Sequence, residues 1–149
     1  MEQNMNINNS GTYVAIKVEN SEELIEFCMS QGLLVSKPDD LHVTIAYSTK
    51  PFIFRPALET INIVPGKSQF GIMGGSHLVL MLDSIPLQCE HHRTQEAGAS
   101  YDYPNYNPHI TIEYDCGDID FSHLQNPDFD IILSGEYIEP LDPEWVENK

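Results

Sequence analysis

Two short stretches of the chain, 41–47 and 108–114, share one pattern of alternation. In each, apolar β-branched residues alternate with a histidine and a threonine. Since alternate residues of a strand point to the same face, His42 and Thr44 share one face, as do His109 and Thr111. The pattern therefore predicts two half-buried strands, each with an imidazole and a hydroxyl on its polar side.

The segments around these strands predict a helix before each of them. A capping Ser21 and a helix-starting Pro86 mark the two helices, which end near Gly32 and Gly98. Apolar, β-rich runs predict strands at 12–18, 41–47, 57–64, 77–82, 109–114 and 129–138, and the segment 71–75 is predicted to be a loop or bulge.

The predicted order, β-α-β-β-β-α-β-β, has a weak internal repeat in which each half carries a helix followed by a His-x-Thr strand. We expect an α+β fold with two lobes, in which two antiparallel β-sheets with flanking helices surround a central cleft. With 149 residues, the chain fits one domain at 11–149, preceded by a flexible Asn-rich segment at 1–10.

Cellular location is indicated by what the sequence lacks. It contains no apolar run of the ~20 residues that span a bilayer, and its polar N-terminus does not resemble a secretory signal. Three cysteines without C-x-x-C spacing argue against a disulfide framework and a zinc site. We expect a cytoplasmic monomer with no membrane partner.

The formal net charge is −16, from 23 acidic and 7 basic side chains. Proteins that bind long nucleic acids neutralise phosphates with Lys and Arg, and a surface this acidic repels a long polyanion. A pocket can still supply local donors to a small nucleotide. The charge thus predicts no long nucleic acid partner but permits a small phosphate-bearing substrate.

Two imidazoles and two hydroxyls around one cavity suit phosphodiester cleavage. One neutral imidazole can take a proton from the attacking hydroxyl while the other, protonated, gives one to the leaving oxygen. Histidine suits both roles because its unperturbed pKa of ~6.5 is near neutrality. Thr44 and Thr111 can donate hydrogen bonds to the non-bridging phosphate oxygens.

No metal or other cofactor is expected. The sequence has no H-x-x-x-H or H-E-x-x-H spacing on a helix, and no pair of aspartates is placed so that it could hold magnesium together with these histidines. The predicted catalytic set is His42, Thr44, His109 and Thr111.

The paired His-x-Thr motifs resemble those of the two-histidine (2H) phosphoesterase superfamily, from Tyr13 to about Ile138. Within it, the residues 91–93, 98–104 and 106–111 resemble the anti-CBASS nucleases of T4-like phages. This resemblance implies degradation, in the host bacterial cytoplasm, of the cyclic di- and trinucleotide messengers that bacteria make on infection. It implies hydrolysis of 3′,5′ linkages, with an adjacent ribose 2′-OH or water as the nucleophile.

A cyclic oligonucleotide substrate leads to predictions for the residues that bind it. Tyr13 and Trp145 are candidates for stacking on bases, and Glu136 is a candidate for accepting hydrogen bonds from a base amino group, with Glu139 as its rival. Arg93 is expected to contact phosphate or to pair with acids on its own helix. The tyrosine-rich loop at 101–108 is expected to close over the substrate or to pack on its own rings.

Two alternative functions remain open on the sequence. The chain is also consistent with a 2′,3′-cyclic phosphate or 2′-5′ RNA phosphodiesterase, against which the acidic charge weighs. It is further consistent with a protein that sequesters nucleotides without cleaving them, against which the intact histidines and threonines of both motifs weigh. The sequence does not distinguish the acid from the base histidine.

Overall fold

A computed structural model describes residues 11–100, 105–117 and 119–141. These residues form seven strands and two helices, which are β1 (Thr12–Val18), α1 (Ser21–Ser30), β2 (His42–Ser48), β3 (Ile61–Ile63), β4 (Ser68–Met73), β5 (His77–Leu82), α2 (Ile85–Glu96), β6 (His109–Glu113) and β7 (Ile131–Pro140). The predicted flexible segment at 1–10 lies outside the described residues.

The strands form one seven-stranded sheet in the order β3-β7-β1-β2-β6-β5-β4, and every neighbouring pair is antiparallel. The α+β class and the antiparallel pairing are confirmed. The two separate sheets are not: in the part of the chain that the structure describes, the two halves join through β2 and β6. These two strands pair over a short length, in which Val43 lies opposite Ile110.

One face of the sheet is buried because its strands direct aliphatic side chains toward the helices. Val14, Val43, Ile110 and Leu133 are fully buried there. Burial of this apolar surface is the main driving force for folding. The polar positions between them lie on the opposite face, as the alternation predicted.

Both helices pack on the apolar side and have identifiable starts. In α1, Leu24 and Cys28 are buried, and Glu22 and Glu23 lie in the first turn, where carboxylates interact favourably with the helix dipole. In α2, the Ser84 side chain accepts a hydrogen bond from the Leu87 backbone N–H at 3.2 Å, and a proline occupies the first turn.

Most predicted elements are confirmed, with boundary shifts of one or two residues. The segment 57–64 is shorter than expected, since only Ile61–Ile63 pairs with β7. The predicted loop or bulge at 71–75 is wrong for its first three residues: Ser68–Met73 is β4, paired along its length with β5, and the turn that follows is formed by Gly74, Gly75 and Ser76. The glycines at 71 and 74–75 belong to a β-hairpin, and the sequence pattern alone did not distinguish this hairpin from a loop.

A β-bulge at Gly135 alters the alternation on the last strand. Along β1, Lys17 and Ala15 are two residues apart, whereas their partners on β7, Ser134 and Tyr137, are three apart. Gly135 adopts a φ of 72°, a conformation that glycine tolerates and most residues do not. Residues after the bulge therefore lie on the opposite face from the one that simple alternation gives.

No helix in the described ranges is long and apolar enough to cross a membrane.

Candidate active site

The contact between β2 and β6 brings the two His-x-Thr motifs together. Val43 lies opposite Ile110, and both side chains point into the core with 0% exposure. Continuing this antiparallel register by one residue in each direction places His42 opposite Thr111, and Thr44 opposite His109. Opposed side chains on a face lie about 5 Å apart at Cβ, so the four groups form one cluster on the polar face. We call these four residues the histidine–threonine cluster.

Both imidazoles are fixed by the same local contact. The Nδ1 atom of His42 lies 2.8 Å from the Asp40 carbonyl oxygen, and Nδ1 of His109 lies 2.8 Å from the Asn107 carbonyl oxygen. A carbonyl only accepts, so each Nδ1 carries the hydrogen and donates it. In the neutral ring, Nε2 is then the unprotonated nitrogen and the atom that can exchange a proton with a substrate.

The surroundings of the two histidines differ. Burial lowers the pKa of His109 below its usual value, the nearby His42 and His77 lower it further, and the hydrogen bond to the Asn107 carbonyl opposes this shift. His109 is therefore favoured as a neutral imidazole near pH 7. His77, at the start of β5, thus acts electrostatically on the cluster.

His42 has a carboxylate close to it. Asp40 Oδ1 lies 3.5 Å from His42 Nδ1, while the carbonyl of the same residue accepts the Nδ1 hydrogen bond. The carboxylate can interact favourably with an imidazolium at this position. The sequence did not predict that Asp40 lies beside His42, because Asp40 belongs to a Pro-Asp-Asp segment that is typical of a turn.

Thr44 is held from two directions. The Tyr13 hydroxyl is hydrogen-bonded to Thr44 Oγ1 at 2.8 Å, and the Tyr106 hydroxyl donates to the Thr44 carbonyl oxygen at 2.6 Å. Tyr106 also stacks on His91 of α2, with ring centroids 4.2 Å apart. The hydroxyl of Thr111 makes no hydrogen bond within the ranges that the structure describes, so its donor is open to a ligand.

Tyr13, which was predicted to bind substrate, lies beside the cluster. Its ring contacts His42 edge-on, with centroids 6.4 Å apart, and it also lies near Tyr137 on β7. Burial raises the pKa of Tyr13 above its usual value, and burial raises that of Tyr137 to about 12. Both hydroxyls therefore stay protonated and can donate hydrogen bonds at neutral pH.

The structure does not bring Glu136 to the cluster. Its side chain is on the core side of the sheet, where Oε1 accepts a hydrogen bond from the Ala57 backbone N–H at 2.7 Å and lies 3.5 Å from Arg93 Nη2. The bulge at Gly135 is the reason. Its rival Glu139 lies opposite Tyr13 on the polar face, and is the carboxylate on β7 that shares a face with the histidines.

Arg93 fulfils the second of its two expected roles. Its guanidinium donates to Glu90 through Nε at 3.0 Å and forms an ion pair with it through Nη2, on the helix side of the sheet. Trp145, Tyr101 and Tyr103 lie outside the described residues.

The described residues contain no group of three or more His, Cys, Asp or Glu side chains that could hold a metal ion. Two shallow depressions of about 210 and 220 Å³ lie near β3, β4 and the start of α2. They share no residue with the histidine–threonine cluster, which occupies an open face of the sheet.

The fold and the site define an antiparallel α+β protein in which two matched His-x-Thr strands meet on one face. The family model described as Acb1, anti-CBASS protein Acb1, matches residues 10–148. The chain belongs to this family.

Curated relatives with the name anti-CBASS protein Acb1 include phage and bacterial proteins. The protein of Vibrio phage KVP40 is 34% identical over 95% of both chains, and that of Enterobacteria phage T4 is 33% identical over 93% of both. A relative from Caulobacter sp. is 34% identical over 91% of this chain, which spans only 23% of that longer protein.

Proposed function

We propose that this protein is a metal-independent phosphodiesterase that hydrolyses 3′,5′-linked cyclic di- and trinucleotide messengers, and that it thereby blocks CBASS defence in the cytoplasm of an infected bacterium. The observation that carries the chemistry is the Val43–Ile110 pairing, because it places two imidazoles and two hydroxyls on one face. Membership of the Acb1 family supports the anti-CBASS role.

The different surroundings of the histidines favour different roles for them. His109, whose pKa is lowered by burial, is the general base and takes a proton from the attacking hydroxyl at Nε2. His42, beside the Asp40 carboxylate, is the general acid and gives its Nε2 proton to the leaving 5′ oxygen. A bond forms between the nucleophile oxygen and phosphorus as the bond from phosphorus to the 5′ oxygen breaks.

The threonines stabilise charge on the reacting phosphate. Thr111 donates its free hydroxyl hydrogen to a non-bridging oxygen, and Thr44 does so while Tyr13 fixes its Oγ1. The nucleophile is the adjacent ribose 2′-OH, which gives a 2′,3′-cyclic phosphate, or water, which gives a linear product directly.

We propose a small substrate because a protein with a net charge of −16 repels a long polyanion. We propose that a monomer acts without a long nucleic acid partner or a membrane. In this proposal, the two halves of the sheet, β3-β7-β1-β2 and β6-β5-β4, are the two lobes of a 2H-like fold. Tyr13 and Glu139 lie where a base would meet the polar face of the first lobe.

Purified protein incubated in EDTA with a panel of cyclic di- and trinucleotides tests the proposal. We expect cleavage in EDTA at the rate seen without it, and loss of about 10²-fold or more in His42→Ala and His109→Ala, since each removes one proton-transfer step. His92→Ala is the matched control, because His92 is exposed on α2 and pairs with Glu96.

The outcomes separate the alternatives. Wild-type rates in both histidine variants, or abolition by EDTA, contradict the proposal. Turnover of RNA ends with 2′,3′-cyclic phosphates but not of cyclic nucleotides assigns the site to RNA processing instead. Undiminished cleavage of a 2′-deoxy substrate identifies water as the nucleophile.

A further inference from the structure

Basic side chains are scarce in this protein, and their placement is informative. The sequence has 7 Lys and Arg against 23 Asp and Glu. Lys67 pairs with Asp83 at 3.4 Å. In contrast, no carboxylate of the described residues lies within ion-pairing distance of Lys17 or Lys37.

Lys17 lies on the polar face, directly beside the histidine–threonine cluster. On β1 it is the cross-strand partner of His42, so the two Cα atoms lie about 5 Å apart. Its ammonium nitrogen is 5.5 Å from the centre of the Tyr137 ring. The lysine thus rests on an aromatic surface and not on a carboxylate, which leaves its N–H donors available.

Lys37 lies on the other side of His42, in the loop that leads into β2. Its ammonium nitrogen is 4.6 Å from the centre of the Tyr114 ring, just after β6. The loop is attached there because the Tyr114 backbone N–H donates to Ser36 Oγ at 2.9 Å. In the sheet, β2 lies between β1 and β6, so Lys17 on β1 and the Tyr114 ring just after β6 lie on opposite sides of His42.

The two lysines therefore flank the His42 end of the cluster. A cation held over an aromatic ring is stabilised by the ring quadrupole while its remaining donors face outward. Each ammonium offers three donors and no acceptor, a set that suits an anionic ligand. The protein as a whole has a net charge of −16. Two lysines without a carboxylate partner beside the proposed phosphodiester site therefore form a local positive region that can bind a second anion.

Resting on the proposed function, we propose that Lys17 and Lys37 form a second phosphate-binding subsite, which holds the phosphodiester of a cyclic oligonucleotide that is not being cleaved. The reacting phosphate lies at the histidines and threonines, and a neighbouring phosphate of the same ring lies between the two lysines. The subsite selects substrates with at least two phosphates over those with one.

Binding measurements test this subsite independently of cleavage. A His109→Ala background holds the substrate uncut, and calorimetry then gives the affinity for a cyclic dinucleotide, with two phosphates, and for a linear dinucleoside monophosphate, with one. We expect Lys17→Gln and Lys37→Gln each to weaken binding of the cyclic dinucleotide by about 5- to 20-fold, because a charge-assisted hydrogen bond is lost at an exposed site. Binding of the single-phosphate ligand should change less than about twofold by the same reasoning.

Lys67→Gln is the matched control, because it removes the same charge at the β3–β4 turn, away from the cluster. We expect it to leave both affinities unchanged. In the cleavage-competent protein, the two site variants should raise KM for the cyclic dinucleotide with little change in kcat, and the loss should shrink at high salt.

Three outcomes overturn the subsite. If the lysine variants weaken binding of both ligands equally, the lysines contact the reacting phosphate. If they weaken binding of neither ligand, the lysines are surface residues without a binding role. If Lys67→Gln weakens binding as much as they do, the effect comes from net charge alone. If the wild-type protein cleaves nothing while the lysine variants still lose affinity selectively for the cyclic ligand, the subsite stands and the proposed hydrolysis fails.

Discussion

Val43 on β2 lies opposite Ile110 on β6, and this buried pair joins the two halves of the sheet. On the polar face, the same pairing brings the two histidines into one cluster. Packing in the core and geometry in the site are therefore coupled at this one position.

We expect Ile110→Ala to lower the free energy of unfolding by about 2–5 kcal/mol, since it leaves a cavity in a packed core. It should also lower kcat in the molecules that remain folded, because β6 can shift against β2. Ile131→Ala is the control: Ile131 is also fully buried, but it pairs β7 with β3 at the far edge of the sheet. Denaturant unfolding and kcat corrected for the folded fraction are the measurements. Equal specific activity in both variants would contradict the coupling.

The sequence predicted the two His-x-Thr strands because a period of two residues determines which side chains share a face. It predicted the order of the elements, except for β4, whose glycines resemble a loop. It could not predict which strands pair across the sheet, because the β2–β6 contact joins residues 67 positions apart and depends on the whole core. It also predicted two sheets, since the repeat did not reveal that β2 and β6 are neighbours.

Glu136 shows how one residue can reverse an interpretation. The sequence alternation alone places Glu136 on the face of Ser134, toward the histidines. The bulge at Gly135, where φ is positive, adds one residue to β7 relative to β1. As a result, Glu136 lies on the core side and Glu139 on the polar face. Bulges of this kind arise from backbone pairing, which a hydrophobic pattern does not record.

The pH dependence of activity should respond to His77. His77 helps to lower the pKa of His109 by charge repulsion. His77→Gln removes that charge and keeps an acceptor for the Asp115 backbone N–H, which lies 3.2 Å from His77 Nδ1. The pKa of His109 should then rise, so the neutral base forms at a higher pH.

We therefore expect the rising acidic limb of kcat/KM to move to higher pH in His77→Gln, measured from about pH 4.5 to about pH 8. His92→Gln should leave the limb in place, because His92 lies on α2 and pairs with Glu96. A shift to lower pH in His77→Gln would refute the role of His109 as the base.

The stability of the fold should fall as the pH rises through the range in which Glu136 ionises. Burial and the neighbouring Glu90 raise the pKa of Glu136 to about 8, against about 4.3 in an unfolded chain. The folded state thus holds a proton that the unfolded state has lost. This contribution is fully present below the unfolded pKa and is lost as pH approaches the folded pKa.

Glu136→Gln keeps an oxygen for the Ala57 backbone N–H and removes the ionisation. We expect the Tm of the variant to exceed that of the wild type by an amount that grows from pH 5 to about pH 8.5, as the wild type loses its proton. Glu26→Gln, at an exposed position on α1, should show a pH-independent difference. A constant difference for Glu136→Gln would place its carboxylate in water.

Tyr106 should position Thr44 without touching the substrate. Its hydroxyl donates to the Thr44 carbonyl oxygen, and its ring stacks on the buried His91. Tyr106→Phe keeps the stacking ring and removes the hydroxyl that donates this hydrogen bond, which should cost about 1 kcal/mol of stability. Because Thr44 then loses one of its two supports, we expect kcat to fall roughly fivefold while KM changes little. Ser30→Ala, which removes an exposed hydroxyl that donates to the Phe27 carbonyl oxygen at the end of α1, is the control. A rise in KM with unchanged kcat in Tyr106→Phe would instead make Tyr106 a binding residue.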